Sequence, residues 1–257
     1  MTDLAGLVGL FFAGIAAGAI NSVAGGGTLV SFPSLVAFGE PEIISNATNT
    51  AAMWPGSLSS ALGYRKDTSV QRGLLVMLAV PSLVGGLLGA VILVITPAET
   101  FRHAVPFLVL FATLLLASRN VISRKLGSNP ADEERVTTLG RIWGVLFQLF
   151  VATYGGYFGA GIGILMLGSF SVMGLRNIHR MNAIKTPLAA IINLTAFLFF
   201  ALKGLVAWPL AALMGTGAII GGYGGARSAT HVNPQFVHYC VVTIGLLVSV
   251  WLFVKAF

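Results

Sequence analysis

The chain has one cysteine, Cys240, among its 257 residues. A single thiol excludes an internal disulfide framework and a thiolate metal cluster. The four histidines and eight acidic residues show no metal-ligand spacing, so we expect neither a metal nor any other cofactor. The sequence also lacks a Gly-x-x-x-x-Gly-Lys-Ser/Thr loop, an HExxH helix and a nucleophile elbow. These absences argue against an ATP-driven pump and against an enzyme.

Charged residues are scarce as well, at 9%, whereas hydrophobic residues make up 56% and the mean hydropathy is +0.89. A water-soluble fold would have too little polar surface to cover itself. Irregular backbone cannot face lipid, so the sequence predicts an all-α polytopic membrane protein. The net charge of +7 lies mostly in the connections, which favours membrane topology over nucleic-acid binding. The apolar stretches are 4–38, 45–63, 73–95, 104–117, 139–174, 183–202, 205–226 and 236–257.

The second half of the chain repeats the first. A shift of 136 positions aligns 24–90 with 160–226 without a gap and gives 16 identities in 67 positions. Asn and Thr are not part of the apolar background, so composition alone does not explain the match. Internal duplication in a membrane protein is typical of transporters that bind their substrate between two halves. The identities form an Ala-Gly-x-Gly-x-Leu block (24–29, 160–165), an Asn-Ala-x-x-Thr block (46–50, 182–186) and a Gly-Gly-x-x-Gly-Ala block (85–90, 221–226).

A polar stretch, 119–138, is predicted to be a cytoplasmic linker between two membrane repeats, 1–118 and 139–257. Each repeat begins with an apolar segment of 35 or 36 residues. A helix of that length measures about 52 Å, too long for one straight crossing of a ~30 Å hydrocarbon core. If each segment crosses once, the halves are parallel and five basic residues lie outside the membrane against ten inside. If each segment breaks and crosses twice, the halves are inverted and three lie outside against twelve inside, which fits the positive-inside rule better. The sequence therefore predicts two helical bundles of inverted topology, each led by a glycine-broken helix, with 8 to 10 crossings.

Glycines mark the predicted break in each leading segment. Gly25, Gly26 and Gly27 interrupt the first, so a second half-helix should begin near Thr28. A break at membrane depth is tolerated where it lines a cavity, and the N-terminus of the next half-helix attracts anions. Close helix packing is the alternative role for these glycines. In the second copy the corresponding site residues are Tyr157, Gly161 and Gly163.

A polar stripe follows each break. Asn46, Asn49 and Thr50 stand at i, i+3 and i+4, so they share one face of a helix. N-capping would explain one polar residue but not three. The second stripe has a lysine where the first has Asn49, and this positive charge predicts an anionic substrate. Its residues are Asn182, Lys185 and Thr186, with Arg180 before them as either a loop anchor or part of an anion vestibule.

These motifs resemble the opening signature of the sulfite exporter TauE/SafE family. The residues that carry the resemblance are Phe12-Ala13-Gly14, Asn21-x-x-Ala24-Gly25-Gly26-Gly27-x-Leu29, Pro33, Asn46-Ala47-Thr48-Asn49 and Gly63-Tyr64. The resemblance covers most of the chain. It implies a bacterial or archaeal inner-membrane permease for sulfite or small organosulfur anions, able to form a homodimer. The second half departs from the pattern in having Tyr157 where the first has Asn21, and Ile162 where it has Gly26.

The sequence and the resemblance together favour a secondary transporter that exports sulfite or a small organosulfur anion across the inner membrane. Its site is expected at the interface of the two repeats. A passive anion channel is the alternative, and a membrane-embedded enzyme is a weaker one. The expected partners are the anion, the lipid bilayer and a second copy of the chain, without nucleic acid. The predicted substrate-binding residues are Asn21, Gly25, Gly26, Gly27, Thr28, Asn46, Asn49, Thr50, Tyr157, Gly161, Gly163, Arg180, Asn182, Lys185 and Thr186.

Overall fold

The computed structural model describes residues 4–23, 25–63, 72–125, 138–175, 178–228 and 234–257. Within these ranges the chain forms ten α-helices and no strand, so the all-α prediction is confirmed. Most of the predicted linker, the basic loop 64–71 and Arg176 lie outside the described residues. The helices are α1 (Leu4–Val23), α2 (Thr28–Phe38), α3 (Glu42–Gly63), α4 (Arg72–Ile95), α5 (Ala98–Lys125), α6 (Thr138–Tyr157), α7 (Ile162–Val172), α8 (Ile178–Leu202), α9 (Trp208–Ser228) and α10 (Pro234–Ala256).

The first leading segment breaks at its glycines, as predicted. α1 ends at Val23 and α2 begins at Thr28. Gly25 and Gly26 have φ angles of 72° and 107°, a region that residues with a Cβ rarely adopt. The N–H of Gly25 donates to the carbonyl of Ile20 at 3.1 Å and so closes the end of α1.

The second leading segment breaks in the same way with fewer glycines. α6 ends at Tyr157 and α7 begins at Ile162. Gly159 and Gly161 have φ angles of 81° and 80°. The N–H of Gly159 donates to the carbonyl of Tyr154 at 3.3 Å, the counterpart of the bond that closes α1.

The half-helices after the breaks are short, whereas five other helices among the described residues are long and apolar enough to cross a membrane. α2 and α7 have 11 residues each, about 16 Å, so neither crosses a ~30 Å core alone. The multi-pass prediction is confirmed by the long helices, while the inversion of the halves and the number of crossings stay predictions. The five candidate spans are Leu4–Val23, Arg72–Ile95, Ala98–Ser118, Arg180–Leu202 and His238–Ala256.

The two halves of the chain interleave. α9, from the second half, packs along α1 and α3, whereas α4, from the first half, packs along α6 and α8. Each helical bundle therefore contains one helix from the other half of the sequence. Between the bundles, α3 contacts α8 and α5 contacts α10. In the repeat, α1 corresponds to α6, α3 to α8, α4 to α9 and α5 to α10. When each helix is replaced by its counterpart, every one of these contacts becomes another of them or stays the same, which supports the predicted duplication.

The third repeated glycine block lies in these interleaved interfaces. A Cβ on Gly221 of α9 would collide with the backbone carbonyl of Ile15 in α1. Likewise, a Cβ on Gly89 of α4 would collide with the backbone carbonyl of Thr153 in α6. The block therefore lets helix backbones approach closely, as small residues do in membrane interiors.

Candidate substrate cavity at the helix breaks

A small enclosed cavity lies between α1, α3, α7 and α8. Its volume is about 10 Å³, space for about one water molecule. The end of α1 contributes Asn21 and the first turn of α7 contributes Gly163, so both breaks border it. Four predicted site residues meet here, namely Asn21, Gly163, Lys185 and Thr186. The full lining is Asn21, Ser57, Ser60, Ile162, Gly163, Lys185, Thr186 and Ala189.

The charge in the lining belongs to Lys185, whose side chain is 2% exposed. Its Nζ lies 3.4 Å from the carbonyl oxygens of Asn21 and Ser22, in the last turn of α1. Both carbonyls belong to the last turn of α1, and the helix dipole makes this end negative. A buried ammonium costs several kcal/mol unless opposite charge compensates it. The half charge at the end of α1 compensates part of that cost, and an anion in the cavity would compensate more.

Ser57 contributes a hydroxyl to the cavity, with its oxygen already accepting two bonds. Its Oγ accepts from Nδ2 of Asn21 at 3.4 Å and from Nδ2 of Asn193 at 3.5 Å. With both lone pairs in use, the hydroxyl proton can be donated into the cavity. Ser57 and Asn193 are 136 positions apart, so two residues at matching positions of the repeat touch each other. A two-fold axis between the halves would produce such a contact.

Sequence reasoning had singled out neither Ser57 nor Asn193. A serine in an apolar helix commonly bonds its own backbone, as Ser60 does with the carbonyl of Gly56 at 2.9 Å. Only the long-range packing of α3 against α8 distinguishes Ser57 from such residues. The shift of 136 positions was the one signal that could have paired the two.

The asparagines that open the two stripes are buried and only partly bonded. Asn46 is fully buried, and its Nδ2 donates to the carbonyl of Tyr157 at 2.9 Å. Its Oδ1 has no hydrogen-bond partner, and neither has Oδ1 of Asn182. The threonines of the stripes, Thr50 and Thr186, donate to the backbone carbonyls of those same asparagines at 2.9 and 3.1 Å. Each threonine hydroxyl is therefore held by its own helix.

Asn49 lies apart from its counterpart Lys185. Its Oδ1 accepts a hydrogen bond from Oγ of Ser31 in α2, so the side chain lies between α2 and α3. The structure does not place it in the cavity lining. The two halves therefore differ where a neutral amide replaces an ammonium.

The first glycine break meets the second directly. A Cβ on Gly25 would lie 3.2 Å from Cα of Gly163. Gly26 faces apolar side chains instead, with Leu29 and Leu116 at 3.7 and 3.8 Å from its Cβ position. Its φ of 107° also favours glycine at this position. A contact of Gly26 with the substrate stays a prediction.

The remaining predicted site residues lie outside the cavity lining. Gly27 packs against the carbonyl of Ala17, and a Cβ on Gly161 would lie 3.4 Å from Ala112. Thr28 is buried at the start of α2. Arg180 is exposed in the first turn of α8. Exposure at that position suits either a vestibule or a loop anchor.

Broken helices that meet at a buried polar site, inside a shell of apolar helices, are typical of membrane transporters. The sulfite exporter TauE/SafE family matches residues 10–252. The chain therefore belongs to this family.

Three relatives match along nearly the whole chain. A probable membrane transporter protein of Haemophilus influenzae is 27% identical, covering 93% of this chain and 91% of its own. The probable membrane transporter protein ORF9 of a Sinorhizobium species is 29% identical, covering 97% and 94%. The probable membrane transporter protein YfcA of Escherichia coli K12 is 28% identical, covering 93% and 87%. No solved structure matches significantly.

The family and these relatives are transporters and not enzymes, as predicted. The chain is a multi-pass membrane transporter, and its bacterial relatives are consistent with the inner membrane.

Proposed function

We propose that this transporter exports sulfite or a small organosulfur anion, which it binds in the cavity at the helix breaks. The buried ammonium of Lys185 carries the proposal. An ammonium held at 2% exposure inside a membrane protein marks a substrate pathway more often than a structural ion pair. The family's description as sulfite exporters supports the choice of anion and direction.

The other groups around the cavity also suit an oxyanion. The hydroxyl of Ser57 and the amide of Asn21 are hydrogen-bond donors, and Gly163 lies in the first turn of α7, at the positive end of its dipole. Three or more donors around one small space match the several acceptor oxygens of a sulfite or sulfonate group.

The small size of the cavity favours a carrier over a passive channel. Its volume of about 10 Å³ is far too small for sulfite, so the site must open to take up substrate. A carrier opens its site to one side at a time, around the point where the repeats meet.

The experiment is anion binding to the purified protein, followed by flux. Sulfite, sulfate, a short alkylsulfonate and a neutral sulfone should be compared for their effect on the melting temperature. Sulfite or the sulfonate at about 100 times its Kd should stabilise the protein by about 2.7 kcal/mol. Proteoliposomes loaded with the stabilising anion should then release it, and saturation of the rate with concentration would identify a carrier.

The variant Lys185→Gln keeps length and hydrogen bonding but removes the charge. Loss of one charge-assisted hydrogen bond should weaken anion binding by about 1.5–3 kcal/mol, about 10- to 150-fold. The matched control is Lys203→Gln, which removes the same charge from an exposed position just after α8. If both variants bind sulfite equally well, Lys185 is not a ligand and the proposal fails.

A further inference from the structure

The C-terminal ends of α1 and α6 each contact the polar stripe in the other half of the chain, but the side chains that they contact differ in charge. The end of α1 meets the ammonium of Lys185, 3.4 Å from two carbonyl oxygens. The end of α6 meets the neutral amide of Asn46, 2.9 Å from the carbonyl of Tyr157. Each helix end carries about half a negative charge, so only the first is compensated by a full positive charge.

The repeat explains this difference. Asn49 occupies the position that Lys185 holds in the second half, and Tyr157 the position of Asn21. The first half therefore lacks the positively charged side chain that the second half has in Lys185. Asn49 is instead turned to Ser31 of α2.

A second observation at the end of α6 is an unpartnered acceptor, a feature that Asn46 shares with Asn182 in the other half. Oδ1 of Asn46 is fully buried and has no hydrogen-bond partner. It belongs to the same amide group that contacts Tyr157, so this bare acceptor lies beside the negative helix end. Two electron-rich groups, Oδ1 of Asn46 and the carbonyl of Tyr157, therefore lie close together there.

The side chains around this helix end are buried and aromatic. Phe158 is 1% exposed and packs edge-on against Phe32, with ring centroids 5.3 Å apart. Phe101, fully buried, packs edge-on against Tyr157 at 5.7 Å. Uncompensated partial charges count for more in such a low-dielectric setting.

We propose that a small alkali cation, Na⁺, binds at the end of α6, with Oδ1 of Asn46 and the carbonyl oxygen of Tyr157 among its ligands. A water molecule could satisfy Oδ1 but would add no charge to the helix end. Neutral oxygens are the ligands that hard cations take, and the C-terminal ends of broken helices bind Na⁺ in other transporter folds. Such a site needs no cluster of His, Cys, Asp or Glu, and the described part of the chain holds none.

The site is distinct from the anion cavity, whose lining does not include Asn46. We expect Na⁺ to be the coupling ion of the proposed transport, because the break after α6 borders both this site and the anion cavity. The binding of Na⁺ does not depend on which anion is carried, so it can be tested without substrate.

The first test compares melting temperatures of the purified full-length protein in NaCl, KCl and choline chloride at equal ionic strength. NaCl should raise the melting temperature saturably, by about 5–10 °C at 100 times its Kd, and choline chloride should not. Identical melting temperatures in NaCl and choline chloride would overturn the proposal. Stabilisation by sulfite, measured in choline salts, tests the anion site separately.

The second test places a positively charged side chain in the first half. Asn49→Lys places an ammonium in the register of Lys185, so this variant should no longer respond to Na⁺ and should be as stable in choline chloride as the unaltered protein is in NaCl. The matched control Asn49→Gln has no charge and should keep the Na⁺ response. An undiminished Na⁺ response in a folded Asn49→Lys variant would contradict the assigned position.

If that variant does not fold, the variant Asn46→Asp provides the test. Its carboxylate should lower the half-saturating Na⁺ concentration by at least tenfold, and no decrease would refute the site.

Discussion

At the scale of single residues, the close approach of Gly163 and Lys185 determines where the positive charge lies. A Cβ at Gly163 would lie 3.2 Å from Cδ of Lys185 and 3.1 Å from Cα of Gly25. Both distances are shorter than ordinary van der Waals contact. The lysine reaches the end of α1 only because the first turn of α7 has no side chain there.

We expect Gly163→Ala to weaken sulfite binding about fivefold, by ~1 kcal/mol, because the methyl group displaces the lysine stem. The measurement is the sulfite dependence of the melting temperature. Gly168→Ala is the control on the same helix, since a Cβ at Gly168 has nothing within 4 Å. Equal sulfite dependence in the two variants would show that Lys185 tolerates the displacement.

Lys185 stands out in the sequence because it is a charged residue among apolar ones. The sequence does not show which neighbour each polar side chain of the stripe contacts. Asn49 and Lys185 share a register, yet Asn49 is short enough to bond Ser31 whereas the lysine reaches past Gly163 to another helix. Side-chain length and the neighbours available in three dimensions decide such contacts, and periodicity contains neither.

At the scale of helices, the interleaved interfaces rely on glycines at particular positions. Gly221 faces the backbone of α1, whereas Gly224, three residues later, points away from it and has nothing near its Cβ position. The two glycines are therefore under opposite constraints on one helix.

Gly221→Ala should destabilise the protein by about 1–3 kcal/mol, because the methyl group forces α1 and α9 apart. Gly224→Ala should be neutral or stabilise by up to about 1 kcal/mol, since alanine favours a helix more than glycine does. Thermal unfolding in detergent measures both. A loss of stability in Gly224→Ala as large as in Gly221→Ala would mean that the close contact between α1 and α9 is not the reason for the loss.

The breaks were predictable at this scale and the helix partners were not. Consecutive glycines oppose a helix wherever they occur, so the local sequence was sufficient to place the start of α2 at Thr28. Nothing local indicates that α9 packs on α1. The Gly-Gly-x-x-Gly block indicates close packing but does not identify the helix that it packs against.

At the scale of the whole molecule, the orientation of the halves is the main open prediction. The linker, 65–72 and 176–180 are predicted to be cytoplasmic in the inverted arrangement, by the distribution of lysine and arginine. A parallel arrangement would put 176–180 on the outside.

Labelling with a membrane-impermeant thiol reagent distinguishes the two arrangements. Cys240 is exposed and must first be replaced, by Cys240→Ser. In that background Ile178→Cys should react only when the cytoplasmic face is accessible, and Asp67→Cys should behave in the same way. Reaction of the cysteine at 178 in intact cells would establish parallel halves.

The packing of α9 against α1 and α3 also determines when the first half can complete its helix contacts during translation. Ser59 of α3 donates to the carbonyl of Ile219 in α9, 160 residues later. At about 5–20 residues per second, synthesis of that stretch takes roughly 10–30 s. For that time α1 and α3 lie in the membrane without α9, the helix that packs against their glycines. The first half of the molecule therefore depends on protection by lipid or by the insertion machinery until α9 has been synthesised.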